Sequence, residues 1–209
     1  MESTTRNRLK KYILKPHIVM YIALKKLRKI IRYYEVICTA KVNKVQVNFG
    51  NRIVFNQRTV ITGRGSISIG DRTSFGYVLG GYFHKGFCEL QPRYEKAKII
   101  IGNDVATNNN LLICCADEVI IEDNTLIGEG VMMIDHNAHG IHPDERRTNI
   151  GTVAPIYVGE NVWIGSRVII LPGTKIGNNS IVGAGSVIKG EFPANVMISG
   201  NPGKVIRSI

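Results

Sequence analysis

The feature that most constrains this chain is a ladder of aliphatic residues six apart: Val158, Ile164, Ile170, Ile176, Val182 and Ile188. Gly159, Gly165, Gly177 and Gly183 each follow one of them directly. A period of six fits neither the 3.6 of a helix nor the 2.0 of a plain strand. Fixed self-similarity of this kind marks a solenoid, and six-residue units suit a parallel β-helix. Each unit then forms one flat face of a triangular coil, with its aliphatic side chain inside the prism. Gly or Asn is expected at the tight corners, where a positive φ costs least.

The rhythm is legible upstream as well. Val47, Ile53 and Thr59 share one phase, and Ile69-Gly70-Asp71 restarts it in another. Ile101-Gly102-Asn103-Asp104 resumes the ladder through Thr107 and Ile113, and after a slip Ile121, Ile127 and Met133 carry it on. Two stretches break it. Phe75 to Lys98 is rich in aromatics (Phe75, Tyr77, Tyr82, Phe83, Phe87, Tyr94) and reads as an excursion or distorted coil, either lining a pocket or packing on the wall. Ile134 to Ile156 is the longest interruption. The expected organisation is a basic amphipathic helical extension over 1–40 and a solenoid domain over 41–209, with a functional loop at 134–157 and a tail at 193–209.

The formal charge of +11 would suggest nucleic acid if it were spread over the molecule. It is not. Residues 1–34 hold ten basic side chains against Glu2 alone, and the remaining residues carry only +2. The basicity belongs to the N-terminal segment, so no nucleic-acid partner is expected. Residues 1–8 read as disordered. From Leu9 to Val36 the pattern is helical, broken at Pro16. Two readings of that helix compete. Its apolar side caps the open end of the solenoid, as terminal repeats require, or it lies on an anionic membrane surface. Its longest apolar run, Ile18 to Leu24, is far short of the ~20 residues of a spanning helix. Cys38, Cys88, Cys114 and Cys115 show no metal or framework spacing and read as reduced thiols, mostly core-filling, in a cytoplasmic or peripheral inner-membrane protein.

Three of the five histidines, His136, His139 and His142, lie within seven residues of the long interruption. Insertions in a solenoid emerge on one face and often build its site. An imidazole titrating near neutrality suits the removal of a proton from a hydroxyl. Asp135 and Asp144 are each near enough in sequence to orient one.

With these motifs in place the chain resembles the hexapeptide-repeat acyltransferases, nearest the galactoside, maltose and capsular-polysaccharide O-acetyltransferases. The resemblance rests on the ladder, the histidine loop, Asn161-Val-Trp163-Ile-Gly165-Ser166, Gly183-Ala-Gly185-Ser186 and Ser199-Gly-Asn-Pro202, and covers about 45–207. It implies a left-handed parallel β-helix, a homotrimer with active sites between subunits, and acetyl-CoA as donor to a sugar or lipid-linked glycan hydroxyl. It also implies site residues. His139, seven before Arg146, is the first candidate for the base, with His136 second and Asp135 beside them. Trp163, Ser166, Gly183, Ala184, Gly185, Lys189 and Arg207 are implied for the cofactor, the Ser166 N–H holding the oxyanion. Asn108 and Asn110 are implied for the acceptor.

Rival readings remain open at this level: N-acetylation of an amino sugar, a donor such as succinyl-CoA, a γ-type carbonic anhydrase using the three histidines, and a non-enzymatic scaffold. The anhydrase needs three ligands converging with an open position, and these three lie on one loop. No metal is expected.

Overall fold

The computed structural model describes residues 16–209. The segments expected to be disordered at 1–8 and helical from Leu9 to the break at Pro16 lie outside those residues. A single long helix, α1 (Pro16–Val42), opens the described chain, running six residues beyond its expected end. Behind it, among the described residues, 21 short strands form three sheets of seven, eight and six strands, here called A, B and C. Successive strands visit A, B and C in turn, and each pairs in parallel with its equivalent one coil later: Leu126 with Trp163, Ile127 with Ile164, Ile169 with Val187. This is the expected left-handed parallel β-helix.

The ladder does what its period demands. Val158, Ile164, Ile170, Ile176 and Ile188 are fully buried and Val182 is 1% exposed. Burying each such side chain stabilises the coil by about 1.5–3 kcal/mol. Polar inward positions are few and satisfied: Thr125 Oγ1, for example, donates to the Gly159 carbonyl and accepts the Val162 N–H.

The corners divide into two jobs that the sequence merged. Positive φ falls three residues after each of the first five ladder aliphatics, at Asn161, Arg167, Gly173, Asn179 and Gly185, so one of the five is a long side chain. The glycines directly after the aliphatics serve another purpose. A Cβ on Gly165 would stand 2.6 Å from the Ala184 nitrogen, and one on Gly183 would stand 2.7 Å from Ser199 Oγ. They let neighbouring coils approach.

The aromatic stretch is mostly regular. Cys88–Pro92 is a strand of sheet C and Lys98–Ile101 a strand of sheet A, which shortens the true excursion to 76–87. Phe75 belongs to the core inside the prism, stacked at 5.2 Å on Phe55, whereas Tyr77, Tyr82 and Phe87 are exposed. Asn109 pins the excursion: its Nδ2 donates to the Tyr77 and Gly81 carbonyls and its Oδ1 accepts the Tyr77 N–H.

The last turns of α1 cap the solenoid. Val36 and Ala40 are fully buried and Tyr33 packs against Phe49 and Phe55 of the first coil. Asn43 Nδ2 donates to the Ile61 carbonyl, and Thr39 Oγ1 accepts the Ile61 N–H, supplying partners to the first strand of sheet C. The earlier turns stand away from the core, with Met20, Ile22, Leu27, Ile30 and Ile31 about half exposed. At the other end, Val196–Gly200 and Gly203–Ser208 form an antiparallel hairpin that closes sheet B. Cys88, Cys114 and Cys115 are buried free thiols, and Cys38 on α1 is exposed.

Candidate active site

A groove of about 800 Å³ runs over the outer face of sheet B. Its floor is an outward row in register from coil to coil: Ala106, Leu126, Trp163, Ile181 and Met197. Sheet A carries charge pairs on its outward face, Lys98 beside Glu118 and Lys175 beside Glu191, among outward Ile100 and Ile120. On sheet B, Leu126 is 51% and Trp163 55% exposed. The groove's wall is the corner after sheet B, where Gly76, Asn108, Gly128, Gly165 and Gly183 stack in a column.

Trp163, Ser166, Gly183, Ala184 and Asn108 all line this groove. The absence of side chains along the column bears on chemistry. A Cβ on Gly128 would lie 2.5 Å from the Ser166 nitrogen, so a bare Gly128 keeps that N–H uncovered. The same holds for Gly165 and the Ala184 nitrogen at 2.6 Å. Gly128 was not singled out by sequence, although Ile127-Gly128 repeats the aliphatic–glycine phrase that marks the others. Asn108 Oδ1 accepts the Asn109 N–H, which turns its Nδ2 hydrogens outward.

Other expected members stand apart. Asn110 is committed to structure: it sits at φ +59°, its N–H donates to Gln57 Oε1, and its Oδ1 accepts from Gln57 Nε2. Arg207 is exposed on the final strand opposite Met197, at the C-terminal end of the groove. Lys189 follows the last strand of sheet C, at the corner toward sheet A, and does not line the groove; Gly185 is exposed at its positive-φ corner.

The histidine loop leaves sheet C after Ile134 and re-enters sheet A at Ile156. None of its histidines lines the groove of the same chain. Asp135 is fully buried and held by the main chain: Oδ1 accepts the Ala116 N–H at 2.7 Å and Oδ2 the Asp117 N–H at 2.8 Å. Oδ1 also accepts Nδ1–H of His136 at 2.8 Å, which fixes that imidazole's tautomer and leaves a lone pair on Nε2. Arg93 Nη1 donates to that Nε2 across 3.3 Å from an exposed guanidinium. His139 is exposed and donates from Nδ1 to the Arg146 carbonyl at 2.7 Å. His142 lies 3.5 Å from Asp144, both well exposed. Asp135 therefore serves His136 and not His139. The three histidines face three different partners, and among the described residues no group of three or more metal-ligating side chains converges.

Burial raises the thiol pKa values of Cys88, Cys114 and Cys115; for Cys115 the Asp135 carboxylate adds to the effect. These thiols stay protonated near neutrality and are poor nucleophiles, which leaves the imidazoles as the basic groups of this region.

A solenoid of six-residue units is the fold of a family of transferases. Residues 155–190 match the bacterial transferase hexapeptide (six repeats) family. The galactoside O-acetyltransferase of Escherichia coli K12 is 42% identical over 113 residues, spanning 54% of this chain and 55% of that protein. WbbJ of the same organism, named for O-acetyl transfer in lipopolysaccharide biosynthesis, is 36% identical over 140 residues, spanning 61% of this chain and 69% of its own. A galactoside acetyltransferase solved with coenzyme A superposes with a TM-score of 0.51 at 25% identity, covering 89% of this chain and 81% of that one. The chain belongs to the hexapeptide-repeat acyltransferase family. It spans little more than half the length of the first curated relatives, 55% and 60% of the two galactoside enzymes.

Proposed function

We propose that the protein is an acetyltransferase that moves an acetyl group from acetyl-CoA to a hydroxyl of a sugar. The observation that carries this reading is the convergence of Asn108, Trp163, Ser166, Gly183 and Ala184 on one groove, where the uncovered Ser166 N–H offers a donor to a thioester oxyanion. Pantetheine lies along Gly183 and Ala184, where small residues permit close approach. Arg207 at the groove's end suits a phosphate of the nucleotide; Lys189 suits it less well.

The base is His136 in this reading. Its tautomer is set by a buried carboxylate, and its Nε2 is held only by a long bond to a mobile type of side chain, which an acceptor hydroxyl can replace. His139 has a carbonyl partner in place of a carboxylate. Nε2 takes the hydroxyl proton as the oxygen attacks the acetyl carbonyl; the tetrahedral oxyanion collapses and expels the coenzyme A thiolate, which receives the proton from the imidazolium.

Groove and imidazole lie on different sides of one prism, so the site is completed by a second copy. The outward rows of sheet B and of sheet C (Leu112, Met132, Ile169, Val187) are both apolar and support side-by-side packing, in a trimer, of the loop of one copy against the groove of its neighbour. The exposed basic and apolar turns of α1 support a seat at an anionic surface. No helix among the described residues is long and apolar enough to cross a membrane.

The test is a screen of sugar acceptors with acetyl-CoA, read by free-thiol release, with His136→Ala and His139→Ala in parallel. Transfer to hydroxyls that is abolished in His136→Ala is expected. Loss in His139→Ala alone moves the base there. Transfer only to amino sugars overturns the O-acetyl reading, and no transfer to any acceptor returns the scaffold reading.

A further inference from the structure

A second cleft, of about 150 Å³, lies between α1 and the 76–87 excursion. One wall presents Lys25, Arg28, Lys29 and Arg32, and the other presents Phe83 and His84. No carboxylate lines it. The nearby Glu35 is engaged by Arg58 at 2.6 Å. Arg32 is half-buried, with its guanidinium 5.4 Å above the Phe83 ring. Burial and the neighbouring Arg28 both push the Arg32 pKa down, and Glu35 only partly opposes them. Like charges crowded into a partly desolvated cleft are costly unless an anion joins them.

The position of the cleft says what anion. Asn56 lines both this cleft and the sheet B groove. It occupies the same corner position as Asn108, two coils away through the pairs Phe55–Phe75 and Ser74–Ala106. Two strand spacings are about 10 Å, on the order of one sugar ring together with the phosphate on its anomeric oxygen. The cations thus stand one ring beyond the residue that faces the acceptor. They also stand at the end of the groove opposite Arg207, away from the nucleotide of the donor.

We propose that this cleft binds the phosphate or diphosphate of a glycosyl-phosphate acceptor, whose sugar ring reaches toward Asn108. The inference rests on the acetyltransferase reading and names its substrate class. Arginine fork geometry matches phosphate oxygens. A diphosphate of this kind comes either on a nucleotide or on a lipid carrier, and the cleft's chemistry is common to both.

The test measures binding of inorganic pyrophosphate to the full chain by calorimetry, in wild type, Arg28→Ala/Lys29→Ala and Arg32→Gln. The first variant alters only exposed side chains, so it reports even where Arg32→Gln fails to fold. Saturable binding, weakened at least about tenfold in the variants while acetyl-CoA affinity is unchanged, is expected. Binding that is absent, or equal in all three proteins, overturns the proposal. So does a parallel loss of acetyl-CoA affinity, which would make the cleft part of the donor site. UDP and farnesyl diphosphate as competitors separate the sources: stronger competition by either supports the cleft and identifies its carrier. Binding of phosphatidylglycerol vesicles without any of pyrophosphate also overturns it, in favour of a membrane-facing surface. The two readings fail separately. Pyrophosphate bound as expected without acetyl transfer to any sugar sinks the enzyme, whereas transfer to sugars indifferent to pyrophosphate sinks only the cleft.

Discussion

Replacing Asp135 by asparagine changes one atom's chemistry in a fully buried network. The carboxylate accepts three hydrogen bonds, from the Ala116 and Asp117 N–H groups and from His136 Nδ1–H. An amide keeps one oxygen. With that oxygen at the Oδ1 position, the NH₂ faces the Asp117 N–H, donor against donor. With the amide flipped, it faces both Ala116 and His136. The smaller loss is one charge-assisted bond and one buried donor left unsatisfied, together about 2–4 kcal/mol. At about 2–4 °C per kcal/mol for a chain of this size, Tm should fall by roughly 5–15 °C. The rate falls for a separate reason: a neutral amide stabilises the imidazolium less, and general-base catalysis contributes about 10²–10⁴-fold. Thiol release at saturating acetyl-CoA should drop by about 100-fold, with coenzyme A affinity retained. The double variant Asp135→Asn/His136→Ala should be no slower than His136→Ala, because the carboxylate acts through the ring. A Tm within 2 °C of wild type would refute the buried network, and a slowed Asp135→Asn beside a fully active His136→Ala would refute the dyad.

Ile170→Ala, in the middle of the buried ladder, should cost about 2–5 kcal/mol in urea unfolding, whereas Ile100→Ala, 37% exposed on sheet A, should stay within about 0.5 kcal/mol. Gly128→Val should slow thiol release at saturating acetyl-CoA by covering the Ser166 N–H, and should cost about 1–3 kcal/mol from overpacking; an unchanged rate would remove Gly128 from the site. In native protein at pH 8, iodoacetamide followed by mass spectrometry should label Cys38 and spare Cys88, Cys114 and Cys115. The raised pKa values mean that the thiolate fraction of the buried three grows only at higher pH, so labelling of Cys115 at a rate matching Cys38 would contradict its environment.

What was legible in the sequence follows from where the information resides. The coil repeats one inward residue in six, so Val158 to Ile188 announced the prism without any long-range knowledge. The strand Cys88–Pro92 was hidden because it contains a proline and two polar outward residues, a composition that weakens a strand signal. Its partners, Thr59–Ile61 and Leu112–Cys115, are distant in sequence, and they supply the pairing that defines it. The groove residues were readable because the aliphatic–glycine phrase and its exceptions, Trp163 and Ser166, sit inside the repeat. The choice among histidines was not. Asp135 and Asp144 are equivalent on paper, and only the main-chain N–H groups of Ala116 and Asp117, from another coil, bury one of them. Asn109 and Gln57 were invisible for the same reason: they satisfy backbone and amide groups of an excursion whose path the sequence does not state.

The two ends of the solenoid have a consequence for assembly. A stack of parallel coils has an unfinished strand at each terminus, and such an edge recruits any similar edge, including its own copy's. Here Thr39 and Asn43 occupy groups of Ile61 at one end, and the antiparallel Gly203–Ser208 strand occupies sheet B at the other. Coil-on-coil growth into a filament is thereby opposed from both directions. With both ends occupied, the proposed flank-to-flank packing of a histidine loop on a neighbour's groove would meet little competition from end-to-end contacts.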